Sequence, residues 1–234
     1  MQRLAVLLLA LCLMGAVQAY PQDSHYTEAG FFDIHVCNRQ ENPHFIMALF
    51  SSERFDDVAQ VSVYTPDGTL LGNLNLDKFH AFKSKSGKDK RAFIEYFGMP
   101  IRNADGWYRA DILMKDGRRY AARDFVVDAF MPMPTGMQPA PGAQDVPMPT
   151  ELRWDPVPGA RYYQIYLRDK WNDELILKTD MIREPFLKLP AGLLQPGGMY
   201  GWTIHAQDVN EHILLGDFNH GTTTPEYMFT VIEQ

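Results

Sequence analysis

The sequence predicts an all-β chain built as two β-sandwich domains in series, and three observations carry that expectation. Short apolar–polar alternating runs recur along the chain, from Phe31-Phe32-Asp33-Ile34-His35-Val36-Cys37 to the closing run Tyr227–Val231. Aromatic residues make up 12% of the 234 positions and long helical periods are few, which favours strands. Near the middle, Met131-Pro132-Met133-Pro134-Thr135-Gly136-Met137-Gln138-Pro139-Ala140-Pro141-Gly142 divides the alternating runs into two groups. Repeated prolines withhold backbone donors, so this span is expected as a semi-rigid spacer.

The N-terminus is expected to be removed. Arg3 precedes a short apolar core from Leu4 to Met14, and Val17-Gln18-Ala19 places small residues before a cleavage point at Tyr20. The apolar run is short for a membrane span, and Leu11 is too large for a lipoprotein cleavage site at Cys12. The expected organisation is therefore a signal peptide over 1–19, a first sandwich over 20–130, the Pro/Met-rich linker over 131–146 and a second sandwich over 147–234. Cleavage leaves one cysteine, Cys37, so no internal disulfide is available to an exported chain. No Asn-x-Ser/Thr sequon follows Tyr20. Both features fit a bacterial envelope protein, periplasmic or extracellular, with no membrane insertion after cleavage. The net charge of −7 and the lack of a long basic stretch argue against nucleic acid as a partner.

In the first half, residues 20–30 form a polar lead-in, and strands are expected over 31–37, 45–50, 58–64, 69–76 and 92–97. Thr65-Pro66-Asp67-Gly68 is a hairpin turn. The basic segment Lys83-Ser84-Lys85-Ser86-Gly87-Lys88-Asp89-Lys90-Arg91 lacks the glycine spacing and terminal Lys-Ser/Thr of a phosphate-binding loop, and is expected as a solvated hairpin tip. Residues 107–114 and 118–127 face each other across Lys115-Asp116-Gly117, the strongest hairpin signal of this half.

In the second half, Tyr200, Trp202, Ile204 and Ala206 alternate with Gly201, Thr203 and His205, the period of a strand with one buried face. Leu194 and Pro196 precede Tyr200 by six and four positions, with Gln195-Pro196-Gly197-Gly198 supplying turn chemistry. Trp154 stands upstream in a short strand. This set resembles the fibronectin type III domain over roughly 147–231. The resemblance implies a buried Trp154 and a Tyr200 whose hydroxyl bonds to backbone a few residues upstream. The polar insertion between Val209 and Pro225 departs from the compact hairpin of that family. Gly106-Trp107-Tyr108-Arg109-Ala110-Asp111-Ile112 repeats the glycine, tyrosine and isoleucine offsets of Gly198–Ile204, which suggests a second corner of the same kind and a first half that is loosely immunoglobulin-like.

No motif for acyl transfer, zinc hydrolysis or nucleotide binding occurs. His35 and Cys37 would share a strand face, so a Cys–His dyad is conceivable, although Cys37 in an apolar run reads as a small buried hydrophobe. Asp208, Glu211, Asp217 and Glu226 could offer oxygens to calcium but lack the loop that enforces such a site. Met131, Met133, Met137 and Met148, with His205, His212 and His220, could hold Cu(I), or the methionines could simply cover apolar surface at the junction. Trp171, in the charged turn Asp169-Lys170-Trp171-Asn172-Asp173-Glu174, and Phe218 and His220, on the insertion, are the candidate partner-binding residues. The expected function is that of an exported, non-catalytic binding or adaptor protein of the bacterial envelope, with no cofactor, offering loops to a protein or glycan partner. A periplasmic copper-handling protein and an enzyme of unread type are the alternatives.

Overall fold

A computed structural model describes residues 24–84, 86–100, 104–209 and 218–233. The expected signal peptide lies outside them. Seventeen strands are described: β1 (Tyr26–Thr27), β2 (Gly30–Arg39), β3 (Phe45–Ser52), β4 (Val58–Tyr64), β5 (Leu70–Asn73), β6 (His80–Lys83), β7 (Asp89–Gly98), β8 (Gly106–Met114), β9 (Arg119–Val126), β10 (Ala143–Val146), β11 (Glu151–Arg153), β12 (Tyr162–Asp169), β13 (Glu174–Lys178), β14 (Phe186–Lys188), β15 (Met199–Gln207), β16 (His220–Thr223) and β17 (Tyr227–Val231). Among the described residues the only helix is a single 3₁₀ turn, Phe55–Asp57, and no helix is long and apolar enough to cross a membrane.

The first half packs two sheets face to face. One runs β5-β4-β8-β9, and the other places β2, β3, β7 and β6 side by side, with β1 on β2. Phe32, Ile34 and Val36 of β2 meet Val61, Val63, Tyr108, Ala110 and Ile112 between the sheets. Local chemistry sets both predicted hairpins. Gly68 and Gly117 take φ of +84° and +86°, where glycine pays no side-chain penalty. Thr65 N–H donates to the Thr69 carbonyl and Met114 N–H to that of Arg118, each at 2.9 Å. The basic segment does connect an antiparallel pair, β6 and β7, with Lys83 opposite Asp89.

The second half sets β13-β12-β15 beside a split last strand. β17 pairs the first part of β15 and β16 its last residues, with β10 running parallel to β17. The facing sheet is the pair β11-β14. Trp154 fills the space between them, 5.2 Å from Tyr163 and 6.2 Å from Trp202 by ring centroids. Tyr200 lies in the same core, and its hydroxyl accepts the Gln195 N–H at 2.7 Å. Gly198 has to lack a side chain because a Cβ there would strike the Tyr200 phenol. The upstream side of the second corner expected at Tyr108, residues 101–103, lies outside the described residues. Tyr108 is a mid-sheet core residue whose hydroxyl bonds to none of the described residues.

Two expectations change. The Pro/Met-rich segment does not stand clear as a spacer. Met131 and Met137 are buried in the second core, and 143–146 becomes β10. Gln138 exchanges both backbone hydrogen bonds with Arg153, and Gly142 N–H donates to the Met228 carbonyl at 2.7 Å. The prolines are tolerated because this segment runs along sheet edges, where a missing donor breaks no ladder. The polar lead-in is likewise woven in: Ser24 bridges Arg123 and β1 pairs β2.

The strand expected over 31–37 is covered on both faces. Its even-numbered N–H groups face away from β3 and find three separate acceptors. Phe32 donates to the His25 carbonyl (2.9 Å), Ile34 to Asp124 Oδ2 (2.7 Å) and Val36 to the Asn219 carbonyl (2.8 Å). Beyond that point β16 pairs with β2 in parallel, His220 opposite Val36 through Thr223 opposite Arg39. A strand of the second half therefore extends a sheet of the first.

Candidate functional site

The three candidate contact residues occupy different environments. Trp171 is 68% exposed at the tip between β12 and β13. The turn beneath it is held firmly. Trp171 N–H donates to Asp169 Oδ1 (2.8 Å), Lys170 Nζ lies 2.9 Å from both Asp173 and Glu226, and Asp173 takes a φ of +53°. Hydrogen bonds to Glu226 and Asp173 raise the Lys170 pKa, and the bond from Lys170 lowers that of Asp173. An indole on such a rigid charged turn presents area with little further ordering to be done.

Phe218 does not face outward. It is 4% exposed and plugs the junction, with Cys37 and Phe45 in its cluster and the rings of His35 and His205 at 4.3 and 5.0 Å. Its carbonyl accepts from His35 Nδ1. Gly221 leaves the space this ring needs, because a Cβ there would meet it. His220 is committed as well: Nδ1 meets Asp208 Oδ2 at 2.7 Å and Nε2 donates to the Val127 carbonyl at 2.6 Å. Both residues are expected as contacts because they lie on the polar insertion. Docking of β16 on β2 buries Phe218 and leaves His220 half-buried.

Asp208 closes the base of the insertion, its Oδ1 accepting from the N–H groups of Val209, Asn219 and His220 at 2.9–3.0 Å. Glu226 is held by Lys170, so both of these carboxylates serve protein partners. Glu211, Asp217 and His212 lie outside the described residues. Of the methionines considered for copper, Met131 and Met137 are inside the core while Met148 is exposed. Cys37 shares a face of β2 with His35, but burial pushes its thiol up to about 12. A protonated thiol is no nucleophile.

The junction carries two opposed titrations. Burial first, then the nearby His35 and Arg39, push His205 down to about 4 from 6.5. Between those values the unfolded chain takes up a proton that the folded one refuses. Stability should therefore fall as pH drops from 6.5 to 4, by up to about 3 kcal/mol. Burial opposes the charged form of His220, but its bonds to Asp208 and the Val127 carbonyl, with the Asp208 charge, outweigh that and raise its pKa. Its contribution is complete below the unfolded value and fades as pH rises through the raised one. Burial likewise opposes ionisation of Asp208, and the bonds from His220 still hold its carboxyl below the usual range. Urea midpoints across pH 4–9 should show His205→Gln flattening the acid limb and His220→Gln the alkaline one. Unchanged profiles in both would contradict these environments.

A second polar cluster, not signalled by the sequence, lies on the lead-in side of β2. His25 Nδ1 donates to the Phe32 carbonyl at 3.0 Å, and its Nε2 lies 3.8 Å from Asp124 Oδ1. Asp33 Oδ1 is 3.8 Å from the same ring, and His35 Nε2 is 3.5 Å from Asp33 Oδ2. Both carboxylates are buried. His25, Asp33 and Asp124 are 8 and 91 positions apart in the chain, a spacing no local motif could announce.

No family model matches the chain, and no match is found among curated proteins. Solved structures give weak likenesses. The mouse nectin-like molecule 4 ectodomain is 16% identical with a TM-score of 0.26, over 88% of this chain. The chain spans 65% of that ectodomain's length. Dpr2 Ig1–Ig2, solved in complex with DIP-Theta, is 12% identical with a TM-score of 0.29, covering 88% of this chain and all of that one. Dimeric latent PorU from Porphyromonas gingivalis is 13% identical with a TM-score of 0.26, over 87% of this chain and 20% of that one. Likeness at this level supports neither a shared function nor a shared partner. The all-β sandwich architecture stands on the strand pairing itself.

Proposed function

We propose that the chain is an exported, non-catalytic binding protein of the bacterial cell envelope, which presents sandwich loops to a protein or glycan partner. The observation that carries this reading is Trp171, a large exposed indole on a turn braced by Asp169, Lys170, Asp173 and Glu226. Tryptophan is over-represented among residues that dominate binding energy. Export rests on the leader pattern of residues 1–19. For the second half, the fibronectin type III assignment is supported by the bond from Gln195 N–H to the Tyr200 hydroxyl and by the buried Trp154. The non-catalytic part of the reading is supported by the protonated Cys37 and by the structural use made of His220, Asp208 and Glu226.

The test is affinity capture from bacterial envelope extract with wild type and Trp171→Ala. The substitution should leave stability within about 0.5 kcal/mol, as for an ordinary surface change. Capture of the partner should fall at least tenfold. Undiminished capture by a stable Trp171→Ala protein would remove this turn from the binding surface.

A further inference from the structure

We propose that the outer face of the sheet β5-β4-β8-β9 binds an acidic oligosaccharide, one whose carboxylates are separated by neutral, hydroxyl-bearing sugars. The site lies on the first half and does not rest on the Trp171 turn.

Strand alternation builds this face. Tyr108, Ala110 and Ile112 of β8 enter the core, so Arg109, Asp111 and Leu113 turn outward. Register sets Tyr64, Arg109 and Arg123 in one row across β4, β8 and β9. Ser62, Asp111 and Ala121 form the next row, with Asn73 beside Ser62, and Gln60, Leu113 and Arg119 form the third. A cavity of about 360 Å³ opens here, with Gln60, Ser62, Tyr64, Asp111, Arg119 and Ala121 in its lining. Ala121 contributes only a methyl group between Arg119 and Arg123, which helps to leave the room.

These three rows carry three arginines against one aspartate, in a chain whose net charge is −7. Asp111 Oδ1 lies 2.9 Å from Arg109 Nε, and the Arg109 guanidinium sits 4.6 Å from the centre of the Tyr64 ring. Those two contacts fix it in place. Arg119 and Arg123 are exposed, and no described carboxylate lies within ion-pair distance of either. At about 3.3 Å per residue their Cα atoms stand about 13 Å apart along β9. Cations therefore bracket a polar centre. There Gln60 Nε2 donates to Ser62 Oγ at 2.8 Å and to Asn73 Oδ1 at 3.1 Å, and Ser62 Oγ donates to Asn73 Oδ1 at 2.7 Å. Ser62, 6% exposed, is the floor. The network holds both amides and leaves Gln60 Oε1 to accept and Asn73 Nδ2 to donate. Asp111 has a second oxygen to accept with. A hydroxyl both donates and accepts, so a sugar satisfies this mixed set while its carboxylates meet the guanidiniums. A ligand charged at every position would set an anion against Asp111, which disfavours an acidic peptide. Trp107 and Phe125, with ring centroids 5.2 Å apart, continue the face beyond Arg109 and Arg123 and offer apolar area to a sugar ring.

The test is calorimetric titration of the purified protein with a hyaluronan tetrasaccharide, in which glucuronates alternate with N-acetylhexosamines. Chitotetraose supplies the neutral comparison and tetraglutamate the acidic peptide. We expect saturable one-site binding of the hyaluronan fragment, at least tenfold tighter than of either comparison. Arg119→Gln should weaken it at least tenfold. Ala121→Glu, which sets a carboxylate in the cavity from an exposed position, should abolish it and leave the urea midpoint unchanged. Lys188→Gln, which removes one exposed cation from the second half, should bind as wild type does. The site is overturned if the hyaluronan fragment does not bind, if either comparison binds equally well, or if binding is indifferent to Arg119→Gln and Ala121→Glu. Each of those results would leave the Trp171 capture experiment as it stands.

Discussion

Phe218→Ala is expected to cost about 3–5 kcal/mol, the range for removing a buried aromatic ring. The effect should be felt by both halves of the chain. Phe218 belongs to the second half by sequence, yet its ring packs on His35, and Cys37 and Phe45 of the first half complete its cluster. Removing it leaves a cavity at the seam where β16 pairs β2. The Phe218 carbonyl would remain to accept from His35, so the loss isolates packing from that hydrogen bond. Wild type should unfold in one urea transition, and Phe218→Ala should either shift that transition or split it as the seam opens first. Trp171→Ala, an exposed aromatic of larger size, provides the control. If Phe218→Ala costs no more than Trp171→Ala, the ring is not a plug and the two halves are held together by other contacts.

The contrast between those two aromatics marks where the sequence was legible. Hairpins and the tyrosine corner depend on residues a few positions apart, so their chemistry is written locally: Gly117 in its turn, Gly198 beside the Tyr200 ring, Gln195 five positions before its hydroxyl. Trp171 was placed by a local argument too, since the charged turn around it offers no apolar neighbours in sequence. The parallel pairing of β16 with β2 joins residues more than 180 positions apart. Parallel pairing has no connecting turn to announce it, and β16, with Gly221 and two threonines, carries no strong apolar period. Phe218 and His220 were consequently read by their polar surroundings, as contact residues on a loop. The same nonlocality hid the His25–Asp33–Asp124 cluster. Met131 and Met137 do cover apolar surface, as one of the two readings of the methionines has it, and the strands that follow them supply that surface. Composition marked the Pro/Met-rich segment correctly as neither helix nor central strand. Only the edges it lies against determined that it would be packed. Glycine, tyrosine and isoleucine recur at Tyr108 and Tyr200, and at Tyr200 Leu194-Gln195-Pro196 folds back to bring an N–H to the phenol.

Tyr200→Ala should destabilise the protein by about 3–5 kcal/mol, and Tyr200→Phe should recover all but about 1–3 kcal/mol of that. The two variants divide one side chain into its parts. The ring is buried against Phe229, with centroids 5.6 Å apart, within the cluster that holds Trp154 and Trp202. Its removal opens a cavity where β15 and β17 pair. The hydroxyl accepts the Gln195 N–H, and phenylalanine keeps the ring while leaving that donor without its partner. An unmatched donor loses its bond in the folded state but not in the unfolded chain, where water supplies one, so the cost falls on the fold. Chemical denaturation of wild type and both variants measures the two steps separately. A Tyr200→Phe loss below about 0.5 kcal/mol, the scale of a neutral surface change, would mean that water replaces the phenol at Gln195. The corner would then be held by packing alone, and the fibronectin type III proposal would lose the hydrogen bond that most specifically supports it.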